Sequence, residues 1–256
     1  MSETQNLSVA KNDLSGYYLA QQRANLIKDG IQNNTAPFLP TDGKMKPMLI
    51  CSASTGYALD AKAMIPAVLK KTKEGYESNV VAAYGVAGKA GTKIKKGEHG
   101  VGVMFKDKDE EFKMARLFFP EQMEDPAKLK EFAQKNIKQE TRLAGQTFTI
   151  TSPEVTEYLG AYVAACKSGA SVSVSPEVAE KFKANLSAVV DNELAKSAEK
   201  NPAIPKLGDL LFETEKKANA LVKGREKELG LAQKNEKAQE QKPKQRKREK
   251  SQSMDR

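Results

Sequence analysis

AYGVAGKAGTKIKKGEHGVGVMFKDK, residues 83–108, holds the pattern from which an architecture can be built. Its Ala/Gly-rich start predicts a short helix over residues 83–89, followed by a strand at Thr92–Lys95 and a turn at KGEHG. Beyond the turn, Val101, Val103 and Phe105 alternate with Gly102 and Met104, which gives the next strand one apolar face. DKDEE then turns the chain into FKMARLFF, a returning strand with less regular alternation. Together these segments predict a meander of about three strands, hence a small antiparallel sheet.

The same stretch is basic. Between Lys89 and Lys108 stand six lysines and two acids, a net charge of +4. In the expected strand Lys93 and Lys95 share a face, Lys96 begins the turn, and Lys89 precedes them. Such a row can follow a phosphate backbone, and it can equally be a solvated turn. Gly97, Gly100 and Gly102 carry no Cβ and would let a nucleic-acid strand approach closely. Single-stranded binders add aromatic faces on which bases stack. Tyr57, Tyr84 and Phe105 are the candidates, with core packing as the alternative for each, favoured for Phe105 by its alternation. His99 is the chain's sole histidine, and by chemistry alone it is a site residue or an exposed turn residue.

Upstream, Leu14, Tyr17, Tyr18, Gln21, Ala24, Ile27 and Ile31 recur at helical spacing, with Asn12 or Asp13 as cap, predicting a helix from Asp13 to about Ile31. NNTAPFLPTDGKMKP is a Pro-rich loop, MLICSAS a short buried strand, and YALDAKAMIPAVLKK a helix that Pro66 would break or restart. Downstream, DPAKLKEFAQKNIKQE predicts a helix capped by Asp125 with Pro126 first, and QTFTIT a strand. Ser152-Pro153 and Ser175-Pro176 open two further helices. NPAIP breaks the chain before a last helix with Leu207, Leu210, Leu211, Ala218, Leu221 and Val222 on one stripe, facing the domain or a partner. From about Ala232 the sequence lacks the apolar residues to offset its ordering entropy and is expected to be disordered.

Of the net charge of +9, +5 falls between Lys234 and Arg256, so the tail favours polyanions without sequence specificity. With one histidine, neither an HExxH zinc site nor a His-containing triad can exist. There is no GxxxxGK[ST] loop and no GxGxxG after a strand. Cys51 and Cys166 stand outside any CxxC spacing and predict two reduced, buried thiols. The expectations are therefore no catalytic residues, no metal and no cofactor. No stretch reaches the roughly 20 apolar residues that span a bilayer, and the first residues lack the core of a secretory signal, so a cytoplasmic location without membrane insertion is expected.

The order of residues adds a resemblance. Tyr84, Ala87, Gly91, Ile94, Lys95, Lys96, Gly97, Glu98, His99, Gly100, Val103 and Phe105 fall, without a gap, on the pattern of ArdC-type antirestriction proteins and of the N-terminal region of TraC-type conjugative plasmid primases. ARLFFPEQMEDP is similar to the family's next strand and turn through Arg116, Leu117, Phe118 and Gln122. TGYALDAKAMIPAVL and APFLP resemble upstream elements, so the likeness covers about residues 10–125.

The resemblance implies a stand-alone single-stranded DNA-binding domain at residues 1–150, joined here to a helical region at 151–231 and a basic tail at 232–256. The fold class is α+β, a small antiparallel sheet with flanking helices. The expected function is non-enzymatic single-stranded DNA binding for a plasmid or phage, in antirestriction or as a transfer or replication accessory. Lys89, Lys93, Lys95 and Lys96 would meet phosphates, His99 a phosphate or base, Tyr57 and Tyr84 would stack, and Arg116 would bind a phosphate or brace the sheet. RNA offers the same surface chemistry apart from its 2′-hydroxyl. The alternative is an interaction protein whose residues 153–230 dock a nuclease, polymerase or secretion partner.

Overall fold

The computed structural model describes residues 3–41, 45–106, 112–136, 142–198 and 206–231. The chain runs α1 (Glu3–Gln32), β1 (Cys51–Ser52), α2 (Ala61–Glu74), β2 (Val80–Ala83), α3 (Tyr84–Lys89), β3 (Val101–Lys106), β4 (Phe112–Phe118), a 3₁₀ turn at Pro120–Gln122, and α4 (Pro126–Gln134). It continues with β5 (Thr147–Ile150), α5 (Val155–Ser168), β6 (Ser171–Val174), α6 (Pro176–Ala198) and α7 (Lys206–Glu228). The result is the expected α+β class with a helical C-terminal part. The DKDEE turn, NPAIP and the basic tail lie outside the described residues.

The main sheet has the order β1-β2-β4-β3. β3 and β4 form an antiparallel hairpin with Val101 opposite Leu117 and Gly102 opposite Arg116, β2 adds antiparallel to β4, and β1 adds parallel to β2. Period-2 alternation divides its side chains between two apolar layers. Val81, Val101 and Val103 join α1 and α2, whereas Val80, Ala82 and Phe118 join Ala87 of α3 and Leu129 and Ala133 of α4. A second, two-stranded parallel sheet pairs β5 with β6 across α5.

The first of these layers is continuous from Ala24 to Ala218. α1 packs on α6 and α2, and α7 packs chiefly on α5. Phe38, from the Pro-rich loop, is fully buried and meets Tyr162 and Phe182 edge-on, while Tyr158 stacks on Phe182 at 3.6 Å between centroids. The apolar stripe of α7 is spent inside the chain: Leu207, Leu211 and Ala218 are buried, and Leu210, Leu221 and Val222 pack against the same core.

Several local expectations change. α1 begins about ten residues before Asp13, so Asn12 and Asp13 lie within the helix rather than capping it, and Leu19 and Ala20 are buried in place of Tyr18 and Gln21. The strand in MLICSAS shortens to Cys51–Ser52. α2 runs unbroken through Pro66, with Asp60 accepting from the Ala63 amide at 3.0 Å. Pro66 falls in the second turn, so the only helical bond it removes is to the carbonyl of Lys62, in the partly exposed first turn. Ser175 accepts from the Val178 amide as a cap should, but α5 is capped by Glu154 rather than by the Ser152-Pro153 pair. β2 and β6 are strands that periodicity did not single out.

Candidate nucleic-acid interface

The largest change falls on the basic segment. Thr92–Lys95 is not a strand of the main sheet. Ile94 forms one isolated bridge with Met123, flanked by Lys95 N–H to Gln122 O at 2.9 Å and Glu124 N–H to Lys93 O at 2.8 Å. Left-handed glycines bend both ends, Gly91 at φ +76° and Gly97 at +87°. Residues 92–100 are therefore a loop clipped to the 3₁₀ turn, so the expected meander loses its first strand and the hairpin through KGEHG, while the expected pairing of β3 with β4 is present.

The clip has a buried amide at its centre. Gln122 is fully buried; its Nε2 donates to Glu98 Oε2 at 2.8 Å and to His99 O at 3.1 Å, and its Oε1 accepts from the Phe119 amide at 3.1 Å. Beside it, Glu121 accepts from Ser78 N–H and Oγ at 2.8 and 2.6 Å. Burial pushes the Glu121 carboxyl up, but the bonds from Ser78 and the backbone, with Lys130 nearby, outweigh it and leave the group below its ordinary value. Lys71 is buried and donates to the carbonyls of Tyr76, Glu77 and Ser78, closing the loop between α2 and β2. Burial, followed by the nearby charge of Glu98, pushes the Tyr76 hydroxyl up to about 12.

On this frame Lys89, Lys93, Lys95, Lys96, His99 and Arg116 are all exposed. Lys95 also donates to Glu121 O at 2.9 Å, so one of its hydrogens is used within the chain. Tyr84, at the start of α3, is 76% exposed, and Tyr57, in the turn after β1, is 54% exposed. Core packing is thereby excluded for both rings. The Phe105 side chain lies outside the described residues. The candidates do not converge on one pocket: Tyr57 lines a cleft of about 410 Å³ with Arg142, Lys167 and Lys223, whereas His99 lines another of about 270 Å³ with α1 and α2.

Two of the three glycines are covered by protein rather than open to a ligand. A Cβ on Gly100 would stand 2.8 Å from Leu117 O, and one on Gly102 2.1 Å from Leu19 Cδ2. Only Gly97 faces open space within 4 Å. Sequence reasoning missed Arg23, a guanidinium 7% exposed in the row Leu19–Arg23–Ile27–Ile31. A charged residue at i, i+4 spacing among apolar ones was the available signal.

Among the described residues, no helix is long and apolar enough to cross a membrane, and no cluster of three or more His, Cys, Asp or Glu could hold a metal ion. Cys51 and Cys166 are free and buried, as the spacing implied.

A mixed sheet between helical layers, with exposed cations on the 92–100 loop, α3 and β4 and exposed tyrosines on α3 and in the turn after β1, defines an α+β domain. The family model for the N-terminal domain of the anti-restriction factor ArdC matches residues 19–149, just over half of the chain, and the chain belongs to that family. Among solved structures it is similar to the metal-free crystal structure of the antirestriction protein ArdC from the R388 plasmid, at 14% identity and a TM-score of 0.42, over 78% of this chain and 98% of that one. No curated protein matches.

Proposed function

We propose that this chain is a non-enzymatic single-stranded DNA-binding protein of a plasmid or phage, acting in antirestriction or as an accessory of DNA transfer or replication. The observation that carries the reading is Tyr84, a large ring 76% exposed at the head of the segment bearing Lys89, Lys93, Lys95 and Lys96. An aromatic face in water beside cations that can follow phosphates is the combination single-strand binders use. Family membership supports the antirestriction setting. Lys93, Lys96, Lys89 and Arg116 would meet phosphates, Lys95 would do so with its remaining hydrogens, His99 would reach a phosphate or base, and Tyr57 and Tyr84 would stack.

The test is fluorescence anisotropy of labelled single- and double-stranded oligonucleotides of one sequence over a salt series. Tighter binding of the single strand, weakened when Lys93, Lys95 and Lys96 become alanine, is expected. Equal, steeply salt-dependent binding of both forms, unchanged by those substitutions, would reduce the interaction to a basic tail. Competition with RNA of the same sequence separates the two nucleic acids, since only contacts to the 2′-hydroxyl distinguish them.

A further inference from the structure

Where α7 passes the turn after β1, the chain leaves a cleft of about 410 Å³. Leu49, Ala58 and Val222 make part of its wall apolar, and Tyr57, 54% exposed, brings an aromatic ring to it. Arg142 and Lys223 line the same cleft and are exposed, so their donors are open to a ligand. The volume falls within the range of small-molecule sites and admits one base with its sugar and phosphate.

The charges around the cleft narrow the ligand further. Lys167 is paired with Glu215, and Arg142 meets Glu226 at 3.0 Å, so these two cations are matched within the chain. Glu215 also accepts from the Ala61 amide at 2.8 Å, which ties α7 to the start of α2 beside the cleft and forms the wall in advance of any ligand. Lys223 makes no ion pair among the described residues and leaves one positive charge unmatched. An exposed ring and one unmatched cation across an apolar wall suit a planar group that carries a single negative charge. A nucleotide within a strand has that composition, since its base offers a π-face and its phosphodiester one charge.

We propose that this cleft binds one nucleotide unit of a single strand, with the base against Tyr57 and the phosphodiester at Lys223. The assignment rests on the single-stranded DNA reading above and names where Tyr57 acts in it. The cleft and the lysine loop are then two separate contacts. A free nucleoside monophosphate offers the same base and phosphate, but with a second negative charge that Lys223 alone leaves unmatched.

The experiment has two arms, both on the full chain. In the first, the dinucleoside monophosphate TpT, thymidine, dimethyl phosphate and thymidine 5′-monophosphate are titrated separately. The Tyr57 ring resonances, assigned by their loss in Tyr57→Leu, are followed by NMR. A saturable shift with TpT, a weaker one with thymidine and none with dimethyl phosphate is expected. Lys223→Ala should weaken TpT about 3- to 5-fold, the scale of one exposed ion pair. No response of the Tyr57 ring to TpT, or one that Lys223→Ala leaves unchanged, overturns the proposal whatever the protein does with longer DNA. Tighter binding of thymidine 5′-monophosphate than of TpT overturns the strand as source and assigns the cleft to a free nucleotide.

In the second arm, a labelled thymidine oligonucleotide is bound over a salt series. Tyr57→Leu should weaken it about 5-fold or more with the salt slope unchanged. Lys223→Ala should lower the slope of log K against log salt by about 0.7. Both positions are exposed, so both variants should melt with the wild type. Unchanged affinity in both variants overturns the cleft while leaving the DNA reading standing on the lysine loop. Failure of the wild type to bind any oligonucleotide, with the TpT response intact, overturns that reading and keeps the nucleotide site.

Discussion

Gln122 Nε2 and Glu98 Oε2 meet at 2.8 Å across 24 residues of chain, and this bond, with the one from Gln122 to His99 O, fixes the exposed lysine loop to the end of the β4 strand. Replacing Gln122 by leucine keeps the volume and removes every polar partner. The Phe119 amide, the His99 carbonyl and the Glu98 carboxylate would then lose their bonds, at a cost on the order of 2–3 kcal/mol. Urea unfolding should report that loss. Hydrogen exchange should show the Lys95 amide, bonded to Gln122 O, losing protection before the amides of the β3–β4 ladder do.

Gly102 separates packing from recognition. A Cβ added there would lie only 2.1 Å from Leu19 Cδ2, so Gly102→Ala must displace a buried leucine of α1, costing about 1–3 kcal/mol. Gly97 has nothing within 4 Å but stands at φ +87°, so Gly97→Ala should cost about 1 kcal/mol through backbone strain alone. Calorimetric melting of the two variants should preserve that order. A Gly102→Ala protein as stable as the wild type would mean that α1 does not approach β3 this closely.

These glycines also show where the sequence stops being readable. Val101 and Val103 announce β3 because alternation is a local property, and Asp125-Pro126 announces α4 because caps are local too. Thr92–Lys95 alternates in the same way, yet left-handed Gly91 and Gly97 turn its ends and Ile94 finds Met123 instead of a neighbouring strand. Its pairing partner depends on where α4 and the 3₁₀ turn settle, which no window of sequence contains. β2 and β6 are four residues each, too short for periodicity to separate from a buried turn of helix. Glu98 and Gln122 stood in the ordered family pattern, but their contact lay in tertiary structure. Arg23 carries a local signal in its i, i+4 place within the row Leu19–Arg23–Ile27–Ile31, but its burial is a product of packing that no window of sequence contains.

Alkaline conditions should destabilise the fold. Burial raises the Cys166 thiol from 9.0 to about 12, and burial with the charge of Glu98 raises Tyr76 from 10.0 to about 12. Between the unfolded and folded values the native state keeps protons that the unfolded chain has released, so stability falls as pH rises. For Cys166 the slope reaches at most about 1.4 kcal/mol per pH unit, beginning near 9. The contribution is fully present below that pH. Urea midpoints measured from pH 7 to 11 should therefore stay level up to about 9 and then decline, and Cys166→Ala should flatten the decline. In the folded protein Cys166 should react with a thiol reagent at pH 8 only through unfolding, since it is buried in the main core.

Tyr84 offers the most direct division between stacking and structure. Its ring is 76% exposed, so Tyr84→Ala should leave the urea midpoint within about 0.5 kcal/mol of the wild type. If a base stacks on it, the same change should weaken binding of a labelled single-stranded oligonucleotide by about 1–3 kcal/mol with little effect on the salt slope, because no charge is removed. The Lys93, Lys95 and Lys96 triple alanine variant should do the reverse, lowering the slope by about 2 if each lysine meets one phosphate. Lys95 alone should add a small stability loss, because its bond to Glu121 O disappears with it. Combining Tyr84→Ala with the lysine changes should give additive losses in affinity if base and phosphate contacts act separately. An unchanged affinity in Tyr84→Ala would remove stacking at this ring and leave the lysine loop as a purely electrostatic surface.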